Sequence, residues 1–573
     1  MKIFRNKLHS VFIDLIFYVL AGLFAFGFVF FCGMRGFFAF DQSIVFDGAW
    51  RVLSGQVPYR DFVIPVGTVS FWIQALFFKI FGVSYFSYIL PAALFNAICS
   101  LCSIYIVRCF FPDKKLLYFS AGVLTAIWLW PPYGTFYYDN LSFSFILLSL
   151  AVIAPLLKDF SGSTKKQLVR IFLCGCLAAL IFLTKQNAGL FVLPFYYIIL
   201  LSACRSNRKN IFLAFFIFSM GMLTAAGLFI LWLFVFSNSE LYLRYGIRIP
   251  ADLGYLRFFK YFFYTVTSKL ALEKYPFVMT VLSSGFIAAV FILLVNIFSK
   301  NNNRNNIINA CTVTIYLYLY QFFFIVSTKN EAFNSLGFVG IIFSLSAALL
   351  IDFVKQQHGS FTYLSNNLSF KTPLLPPAGI KSFLNKRFLI LLIGFVFVIL
   401  SIRGGQIALT RQVHSAVKGA ASYESFEIKP LKYLKWASPT RLYPEAMPEI
   451  TVDKRHIDEL YLYLKQKGKN FFIFPDFTIF YGLLKKTSPG PLVWFHEGLT
   501  YKEGGDSFLD GWLVEGLEGK RVEIIILESR PPYGYDVRLG DFPLFRDYVF
   551  DNFDLVNEIG IFHIYQKPEI INK

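Results

Sequence analysis

Three aspartates lie within the polar stretch DQSIVFDGAWRVLSGQVPYRDF, residues 41–62, which follows the first long apolar run of the chain. An aspartate can remove a proton from an attacking hydroxyl group or bind a divalent metal ion. Asp47 precedes Arg51 by four residues, which predicts an ion pair on a helix, and Asp61 is expected to bind backbone N–H groups of a turn. Asp41 is therefore the candidate catalytic carboxylate, with helix capping or a helix-dipole contact as the alternative.

Cationic side chains recur in the other polar segments, and lysine and arginine are residues that bind phosphate oxygens. Lys185 lies in the turn KQN between two apolar runs, where it is expected either to line a polar cavity or to reach lipid headgroups. Arg244 and Arg248 stand four residues apart, so their repulsion favours an anion near them, either a substrate phosphate or lipid headgroups. Asp139 in FYYDN is a second candidate catalytic carboxylate, with helix capping as its alternative.

Histidine is absent from the polar segments that hold these residues, because the six histidines are at positions 9, 358, 414, 456, 496 and 563. An imidazole base is therefore available only if the C-terminal region supplies one, and no Ser-His-Asp set is visible. Carboxylates and cations without imidazole suit the transfer of a group from a phosphate-linked donor to an acceptor hydroxyl. A divalent metal ion held by Asp41 is left open as an alternative to direct proton removal.

The elements that position these residues are apolar runs long enough to cross a bilayer, which takes about 20 helical residues. About eleven spans are predicted, at residues 11–34, 84–107, 116–132, 140–157, 168–184, 188–203, 211–236, 276–298, 309–326, 335–354 and 388–403. Lysine and arginine concentrate in every second loop, so the positive-inside rule makes that side, together with the N-terminus, cytoplasmic. The candidate site residues then face the extracytoplasmic side.

The loop over residues 35–83 is long and mixes aromatic with charged residues. Apolar residues between Ile44 and Leu53 form one helix face, and TVSFWIQALFFKIFG, residues 68–82, forms a second short apolar helix. Neither is long enough to span a bilayer comfortably, so both are predicted to be interfacial helices that lie along the membrane surface.

The composition excludes a soluble protein, because 56% of the 573 residues are hydrophobic and 19% are aromatic. The net charge of +19 does not indicate nucleic-acid binding, since the basic residues are spread over short loops where they set topology. The first apolar run is too long for a cleavable signal peptide and is expected to remain as a span. The chain is predicted to be a polytopic α-helical membrane protein.

After residue 403 the pattern changes from apolar runs to alternating short strands and amphipathic helices, which predicts a small α/β domain. NFFIFP, PLVWF and VEIIIL read as strands, and residues 456–468 and 508–519 read as helices. The predicted organisation is a membrane domain over 1–403 and an extracytoplasmic domain over 404–573. The second domain has no cysteine, no Gly-rich phosphate loop and no ligand pair at metal spacing, so it is not expected to be a disulfide-stapled or metal-binding module.

DQSIVFDGAWRVLSGQVPYRDF resembles the first outer loop of GT-C class membrane glycosyltransferases, in the bacterial branch related to aminoarabinose and dolichyl-phosphate-mannose-type transferases. YYDN, residues 137–140, and LTKQNAGLFVLP, residues 183–194, also resemble this class. The resemblance covers residues 1–340 in layout. Asp41 matches the acidic residue of the first loop, and Asp139 resembles the second acidic position. The chain departs from the pattern at Gln42-Ser43 and at VIPVGT, so Lys185, Arg244 and Arg248 become the preferred phosphate ligands.

The resemblance implies an enzyme that transfers a hexose or pentose from a polyprenyl-phosphate-linked donor. The acceptor would be a surface glycan, a lipid or a protein on the extracytoplasmic face. In that reading Asp41 and Asp139 are catalytic, and the three cations bind the donor phosphate. A transporter or flippase of lipid-linked glycans is the alternative, as is a polymerase or ligase that acts on such glycans. No nucleic acid is expected as a partner.

Overall fold

The computed structural model describes residues 2–158, 164–204, 210–267, 276–298, 305–328, 336–367, 386–410, 422–438, 452–529 and 538–568. Ten helices in these ranges are long and apolar enough to cross a membrane. They coincide with ten of the eleven predicted spans. The eleventh, predicted at 116–132, is the shorter apolar helix Lys115–Trp128. The expected polytopic helical fold with a small α/β region is confirmed.

The helices of the membrane part run in chain order as α1 Lys2–Gly33, α2 Ala39–Leu53, α3 Val69–Phe81, α4 Tyr85–Phe110, α5 Lys115–Trp128, α6 Tyr138–Lys158, α7 Lys165–Thr184, α8 Gln186–Ala203, α9 Ile211–Phe236, α10 Ile249–Thr267, α11 Pro276–Phe298, α12 Asn305–Thr328, α13 Val339–Asn367 and α14 Lys386–Thr410. The last helix continues beyond the predicted domain boundary at residue 403.

Helix α6 lies at the centre of the bundle. In its 18-residue apolar stretch 78% of the residues are buried, whereas the share is 17% in α9 and 11% in α14. The peripheral helices expose large apolar side chains such as Leu228, Phe234 and Leu391. An apolar surface of this kind suits contact with lipid tails. The bundle therefore has a protein-packed interior around α6 and an apolar exterior.

The two short helices predicted in the first long loop are present as α2 and α3. Helix α3 exposes Leu76, Ile80 and Phe81, which fits a helix at the membrane surface. Helix α2 is different, because it is buried along most of its length. It packs between the bundle and the C-terminal region, so its apolar face contacts protein.

An ion pair inside the protein fixes helix α2 to the C-terminal region. Arg51 Nε donates to Asp47 Oδ2 over 2.8 Å, as the spacing predicted, but both side chains are buried and not on a surface. The Arg51 guanidinium also donates to Ser488 Oγ and to the backbone oxygens of Gly490 and Leu492. A buried pair stays stable only with such additional hydrogen bonds, so this one acts as a clamp between two parts of the fold.

The C-terminal region contains a two-stranded sheet, β1 Ser422–Ser425 and β2 Lys435–Ser438, and a four-stranded sheet in the order β3-β4-β6-β5. The second sheet consists of β3 Phe471–Phe474, β4 Ile524–Glu528, β5 Asp554–Ile559 and β6 Phe562–Gln566. Strands β3 and β4 are parallel, and the other two pairings are antiparallel. The helices are α15 Lys454–Lys467, α16 Ile479–Leu484, α17 Ser507–Gly519 and α18 Pro543–Asn552.

The strand predicted for PLVWF is wrong. Its only β contact is an isolated bridge between Leu492 and Val63 of the first long loop, where Val63 N donates to Pro491 O over 2.8 Å. The run is apolar because it is buried against that loop, not because it belongs to a sheet. A short apolar run does not distinguish these two causes.

Candidate active site at one end of the helical bundle

Asp41 lies in the first turn of helix α2, but it does not cap that helix. The helix begins at Ala39, and Gln42 Oε1 accepts the Phe38 N–H over 2.9 Å, so the capping alternative is wrong. The Asp41 side chain is partly exposed and makes no hydrogen bond or ion pair with any residue that the structure describes. A helix N-terminus favours a carboxylate, yet this one has no direct partner.

Asp139 and Lys185 form an ion pair beside Asp41. Asp139 lies fully buried in the first turn of α6, and Lys185 lies in the turn between α7 and α8. The Lys185 ammonium is 4.8 Å from the ring centroid of Phe324 and 5.2 Å from that of Tyr138. Aromatic faces and a carboxylate around one ammonium hold it inside the protein. The expectation that Lys185 lines an interior space therefore fits better than contact with lipid headgroups.

Contacts on several sides hold the KQN turn in place. Gln186 Nε2 donates to Gly246 O over 2.6 Å, and Asn187 Nδ2 donates to Ser327 Oγ over 2.9 Å. Gly67 of the first long loop rests directly on the turn, because a Cβ atom there would fall 1.6 Å from the backbone oxygen of Leu183. Only glycine allows this approach, so the loop and the turn position Asp41 and Lys185 relative to one another.

Burial and the neighbouring carboxylate of Asp139 raise the pKa of Asp41 to about 7, although Lys185 acts in the opposite direction. Burial also lowers the pKa of Lys185, while the charge of Asp139 opposes that shift. A carboxyl group with a pKa near neutrality is a far better proton acceptor than an ordinary aspartate, and it is still ionised in part at pH 7. Asp41 is therefore suited to act as a general base.

Four tyrosines lie close enough to Asp41 to interact with its charge: Tyr88, Tyr133, Tyr137 and Tyr138. Tyr88 donates to Gln42 O over 2.6 Å, and Tyr137 donates to the Tyr138 hydroxyl over 2.6 Å. The Tyr133 hydroxyl is buried without a partner among the described residues. These rings supply an apolar wall with polar edges, which is typical of pockets that bind organic ligands.

Arg257 of α10 is a member of the site that the sequence did not single out. Its guanidinium donates to the backbone oxygen of Thr328 at the end of α12 over 3.0 Å. It also lies close enough to Lys185 to lower the pKa of that lysine. Residues 237–275 contain six lysine and arginine residues, and the sequence alone does not distinguish Arg257 from the others.

Arg244 and Arg248 occupy different surroundings from Lys185. Arg244 forms an ion pair of 2.9 Å with Asp506 of the C-terminal region, and the Tyr245 hydroxyl donates to the same carboxylate over 3.1 Å. A protein carboxylate is therefore the anion beside Arg244, whereas the arginine spacing suggested a substrate phosphate or lipid headgroups. Arg248 is exposed. The segment that contains both arginines is a π-helix and not an α-helix, so residues four positions apart no longer lie directly above one another on one face. Phosphate binding by these two residues stays a prediction.

Two further expectations for the carboxylates concern the turn at Asp61 and a divalent metal ion. Asp61 Oδ2 accepts the Val57 N–H over 2.7 Å, so it organises a turn. Within the described ranges, no group of three or more His, Cys, Asp and Glu side chains is arranged to hold a metal ion. Asp41 and Asp139 are two neighbouring carboxylates, and Lys185 forms an ion pair with the second.

The C-terminal region closes one side of this site. The ring of Phe40, next to Asp41, contacts Trp494 at a centroid distance of 5.4 Å and His496 at 6.0 Å. The Arg538 guanidinium lies 5.4 Å from the centroid of the same ring. The C-terminal region therefore supplies the only histidine found beside the candidate site in the part of the chain that the structure describes.

Comparison with known proteins now bears on this arrangement. The family model described as dolichyl-phosphate-mannose-protein mannosyltransferase matches residues 66–233. The oligosaccharyltransferase of Archaeoglobus fulgidus in its apo form has a TM-score of 0.52 and 11% identity, over 97% of this chain and 74% of that chain. The chain has the GT-C fold of membrane glycosyltransferases. The resemblance inferred from the first outer loop is thereby confirmed.

Other structures with the GT-C fold show weaker similarity. ArnT from Cupriavidus metallidurans bound to undecaprenyl phosphate has a TM-score of 0.47 and 11% identity, over 97% of this chain and 98% of that chain. The arabinosyltransferase EmbB from Mycobacterium smegmatis has a TM-score of 0.42 and 14% identity, over 70% of this chain and 42% of that chain. A sequence comparison with the curated proteins finds no match. The family match and the fold support a glycosyltransferase that spans the membrane several times.

Proposed function

We propose that this protein is an inverting glycosyltransferase that moves a sugar from a polyprenyl-phosphate-linked donor to an acceptor hydroxyl on the extracytoplasmic face of the membrane. The observation that carries the proposal is the state of Asp41. It is a partly exposed carboxylate with a pKa of about 7 and no hydrogen-bond or ion-pair partner in the described part of the chain, and it lies beside the Asp139–Lys185 ion pair. The acceptor belongs to a surface glycan, a lipid or a protein.

In the proposed reaction, an Asp41 carboxylate oxygen takes the proton of the acceptor hydroxyl as that oxygen attacks the anomeric carbon. The bond between the anomeric carbon and the phosphate oxygen breaks, and both of its electrons remain on the polyprenyl phosphate. Lys185 and Arg257 stabilise the negative charge that develops on this leaving group. Their effect is strong because the site is largely buried among protein side chains. Asp139 holds the Lys185 ammonium in position and keeps it charged.

The family match supports the class of donor, since the description of that family names a dolichyl-phosphate-linked mannose. The charges of the site also support this class of donor. The leaving group would be a single phosphate, whose charge the Lys185 ammonium and the Arg257 guanidinium can balance. We expect one long apolar chain of the donor to lie in the bilayer, beside the exposed apolar surface of the bundle.

The orientation is proposed from the distribution of charge. The loops at the end of the bundle opposite Asp41 include Arg108, Lys114 and Lys115, as expected for the cytoplasmic side. The site and the C-terminal region would then be extracytoplasmic, in the inner membrane of a bacterium. A flippase would need charged groups in the middle of the spans, whereas the buried charges described above lie toward the ends of the bundle.

A divalent ion is compatible with this site only in a limited way. Asp41 is the residue that would hold it, and the donor phosphate would have to complete the coordination, as phosphates often do for Mg²⁺. Such an ion would add positive charge next to the leaving phosphate. Asp41 still orients the acceptor hydroxyl in that case, because it is the carboxylate without a side-chain partner.

Comparative mass spectrometry of surface glycans, lipids and proteins from a deletion strain tests the proposal. The strain is complemented with the wild-type gene or with Asp41→Asn, at membrane abundance matched by immunoblot. We expect one sugar residue to be missing in the deletion strain, to return with the wild type and to stay missing with Asp41→Asn. An Asp41→Asn protein that restores the sugar fully would contradict the role of Asp41, and an unchanged glycome would contradict the proposed function.

A further inference from the structure

The segment of the C-terminal region around PLVWF lies directly on the first long loop. Trp50 Nε1 donates to Lys486 O over 2.7 Å, and Val63 N donates to Pro491 O over 2.8 Å. Together with the Arg51 clamp, these bonds fix the position of the segment relative to helix α2. The side chains that follow in the segment, Trp494 and His496, are thereby held next to Phe40, the residue that precedes Asp41 in helix α2.

Phe40, Trp494 and His496 form an aromatic cluster at the edge of the site. The ring centroids of Trp494 and His496 are 4.8 Å apart, and the ring of Phe40 meets Trp494 at 76° and His496 at 46°. Trp494 is buried, and its Nε1–H has no hydrogen-bond partner among the described residues. A buried donor without a partner is costly unless a ligand or water satisfies it. The cluster therefore contains a hydrogen-bond donor that none of the described residues satisfies.

His496 offers an acceptor atom of defined character. Its Nδ1 lies 2.7 Å from the backbone oxygen of Glu497, so Nδ1 carries the proton that it donates there. In the neutral ring Nε2 then has a lone pair, and it makes no hydrogen bond with any residue that the structure describes. Burial and the nearby guanidinium groups of Arg257 and Arg538 lower the pKa of His496 to about 4, which keeps the ring neutral. The side chain is partly exposed.

The cluster also has an electrostatic link to the donor side of the site. Arg257 lies close enough to act on the charge of both Lys185 and His496, so the two residues share this cation as a neighbour. A neutral nitrogen with a lone pair repels phosphate oxygens and accepts a hydrogen bond from a hydroxyl group. His496 is therefore suited to an uncharged, hydroxyl-bearing group, while Lys185 is suited to the phosphate.

We propose that Phe40, Trp494 and His496 form the acceptor subsite, which binds a carbohydrate ring with its apolar face on the aromatic side chains and one hydroxyl donating to His496 Nε2. The subsite rests on the proposed function, since it defines what the transferred sugar is attached to. The C-terminal region then acts as a specificity element that is fixed to the membrane part by the Arg51 clamp. His496 positions the acceptor and takes no part in bond breaking.

The test compares two substitutions of one residue in the full-length protein in lipid nanodiscs. His496→Asn removes the acceptor atom at the Nε2 position, whereas the longer amide of His496→Gln brings an oxygen close to it. The donors are a panel of undecaprenyl-phosphate monosaccharides, and the acceptor is the envelope fraction of the deletion strain. Two rates are measured. The first is the rate of sugar transfer to the envelope fraction. The second is the rate at which water hydrolyses the donor and releases undecaprenyl phosphate when no acceptor is present, here called release to water.

We expect His496→Asn to raise the acceptor concentration for half-maximal transfer by about three- to tenfold, the range of one neutral hydrogen bond. The rate of release to water and the donor concentration for half-maximal transfer should stay within about twofold of the wild-type values. His496→Gln should restore much of the lost acceptor affinity. His456→Asn is the matched control, because His456 accepts a hydrogen bond from Asp453 N within the same region and lies outside the aromatic cluster. It should leave the acceptor dependence unchanged.

Equal losses in transfer and in release to water, with an unchanged half-saturating acceptor concentration, would overturn the acceptor subsite and leave the proposed function intact. An effect of His456→Asn as large as that of His496→Asn would also overturn it, since the change would then reflect general damage to the region. A wild-type protein that processes no donor of the panel would overturn the proposed function and the subsite with it.

Discussion

Asp14 and Asp41 lie near opposite ends of helix α1, and their surroundings differ completely. Asp14 accepts from Arg108 Nη2 and Lys115 Nζ over 2.8 Å each and from the Tyr118 hydroxyl over 2.6 Å. Asp41 has no such partner, although a lysine and a second carboxylate lie close to it. Each buried carboxylate needs compensation for its lost hydration. Asp14 receives it in full from the protein, and Asp41 does not.

This difference separates a carboxylate that holds the fold together from one that is available for chemistry. At the Asp14 end, Lys114 also pairs with Asp352, so the acidic groups join α1, α4, α5 and α13. At the Asp41 end, Asp139 pairs with Lys185, and Asp41 keeps a raised pKa and a partly exposed side chain. Groups with unmet electrostatic demands of this kind concentrate at functional sites.

Among the residues near Asp41, but not Asp41 itself, removal of the Lys185 charge should have the largest effect. Lys185→Met removes a cation next to the leaving phosphate, so we expect the transfer rate to fall by about 10²–10³-fold, as when one preorganised stabilising group is lost. Lys185→Arg keeps the charge and should retain more activity than Lys185→Met. Single-turnover transfer in nanodiscs measures both. Equal rates for the two variants would show that the charge is not what matters.

The pH dependence of transfer sharpens the comparison further. The pKa of Asp41 is raised to about 7, so the carboxylate is lost as pH falls through that value. We expect log(kcat/KM) to be level above pH 7 and to fall by about tenfold for each pH unit below it. Intrinsic fluorescence at each pH checks that the protein stays folded. A profile that remains level down to pH 5 would contradict the raised pKa of Asp41.

Substitution of Asp14 should affect stability and leave chemistry intact. Asp14→Asn leaves Arg108 and Lys115 without their shared carboxylate, and we expect a loss of about 1–3 kcal/mol in the free energy of unfolding. The transfer rate per folded molecule should stay within about twofold. Asp352→Asn is the control, since Asp352 is more exposed and should cost less. Thermal unfolding in detergent measures both, and a folded but inactive Asp14→Asn protein would contradict the structural role.

Local patterns predict much of this molecule. Apolar run lengths give the spans, and the i,i+4 spacing gives the Asp47–Arg51 pair. Asp41, Asp139 and Lys185 were chosen because each stands at the end of an apolar run on the same side of the membrane, and the structure brings these three together. Helix ends that share one side of a bilayer must meet if the bundle is compact.

Long-range contacts explain what the sequence did not reveal. Arg257 is one of several cations in a long segment, and only the packing of α10 against α12 selects it. His496 lies more than 400 residues from Asp41, and it reaches the site because the PLVWF run binds the first loop instead of entering a sheet. The sequence gives no sign that Asp506 pairs with Arg244, since the two residues are 262 positions apart in the chain.

The central claim is that the Asp41 end of the bundle performs the chemistry and the Asp14 end only stabilises it. Its most direct test is single-turnover transfer by Asp41→Asn and Asp14→Asn, each purified and normalised to folded protein. We expect Asp41→Asn to be folded with a rate lower by about 10²–10⁴-fold, the range for loss of a general base, and Asp14→Asn to keep the wild-type rate. An Asp41→Asn protein that transfers sugar at the wild-type rate would contradict the account.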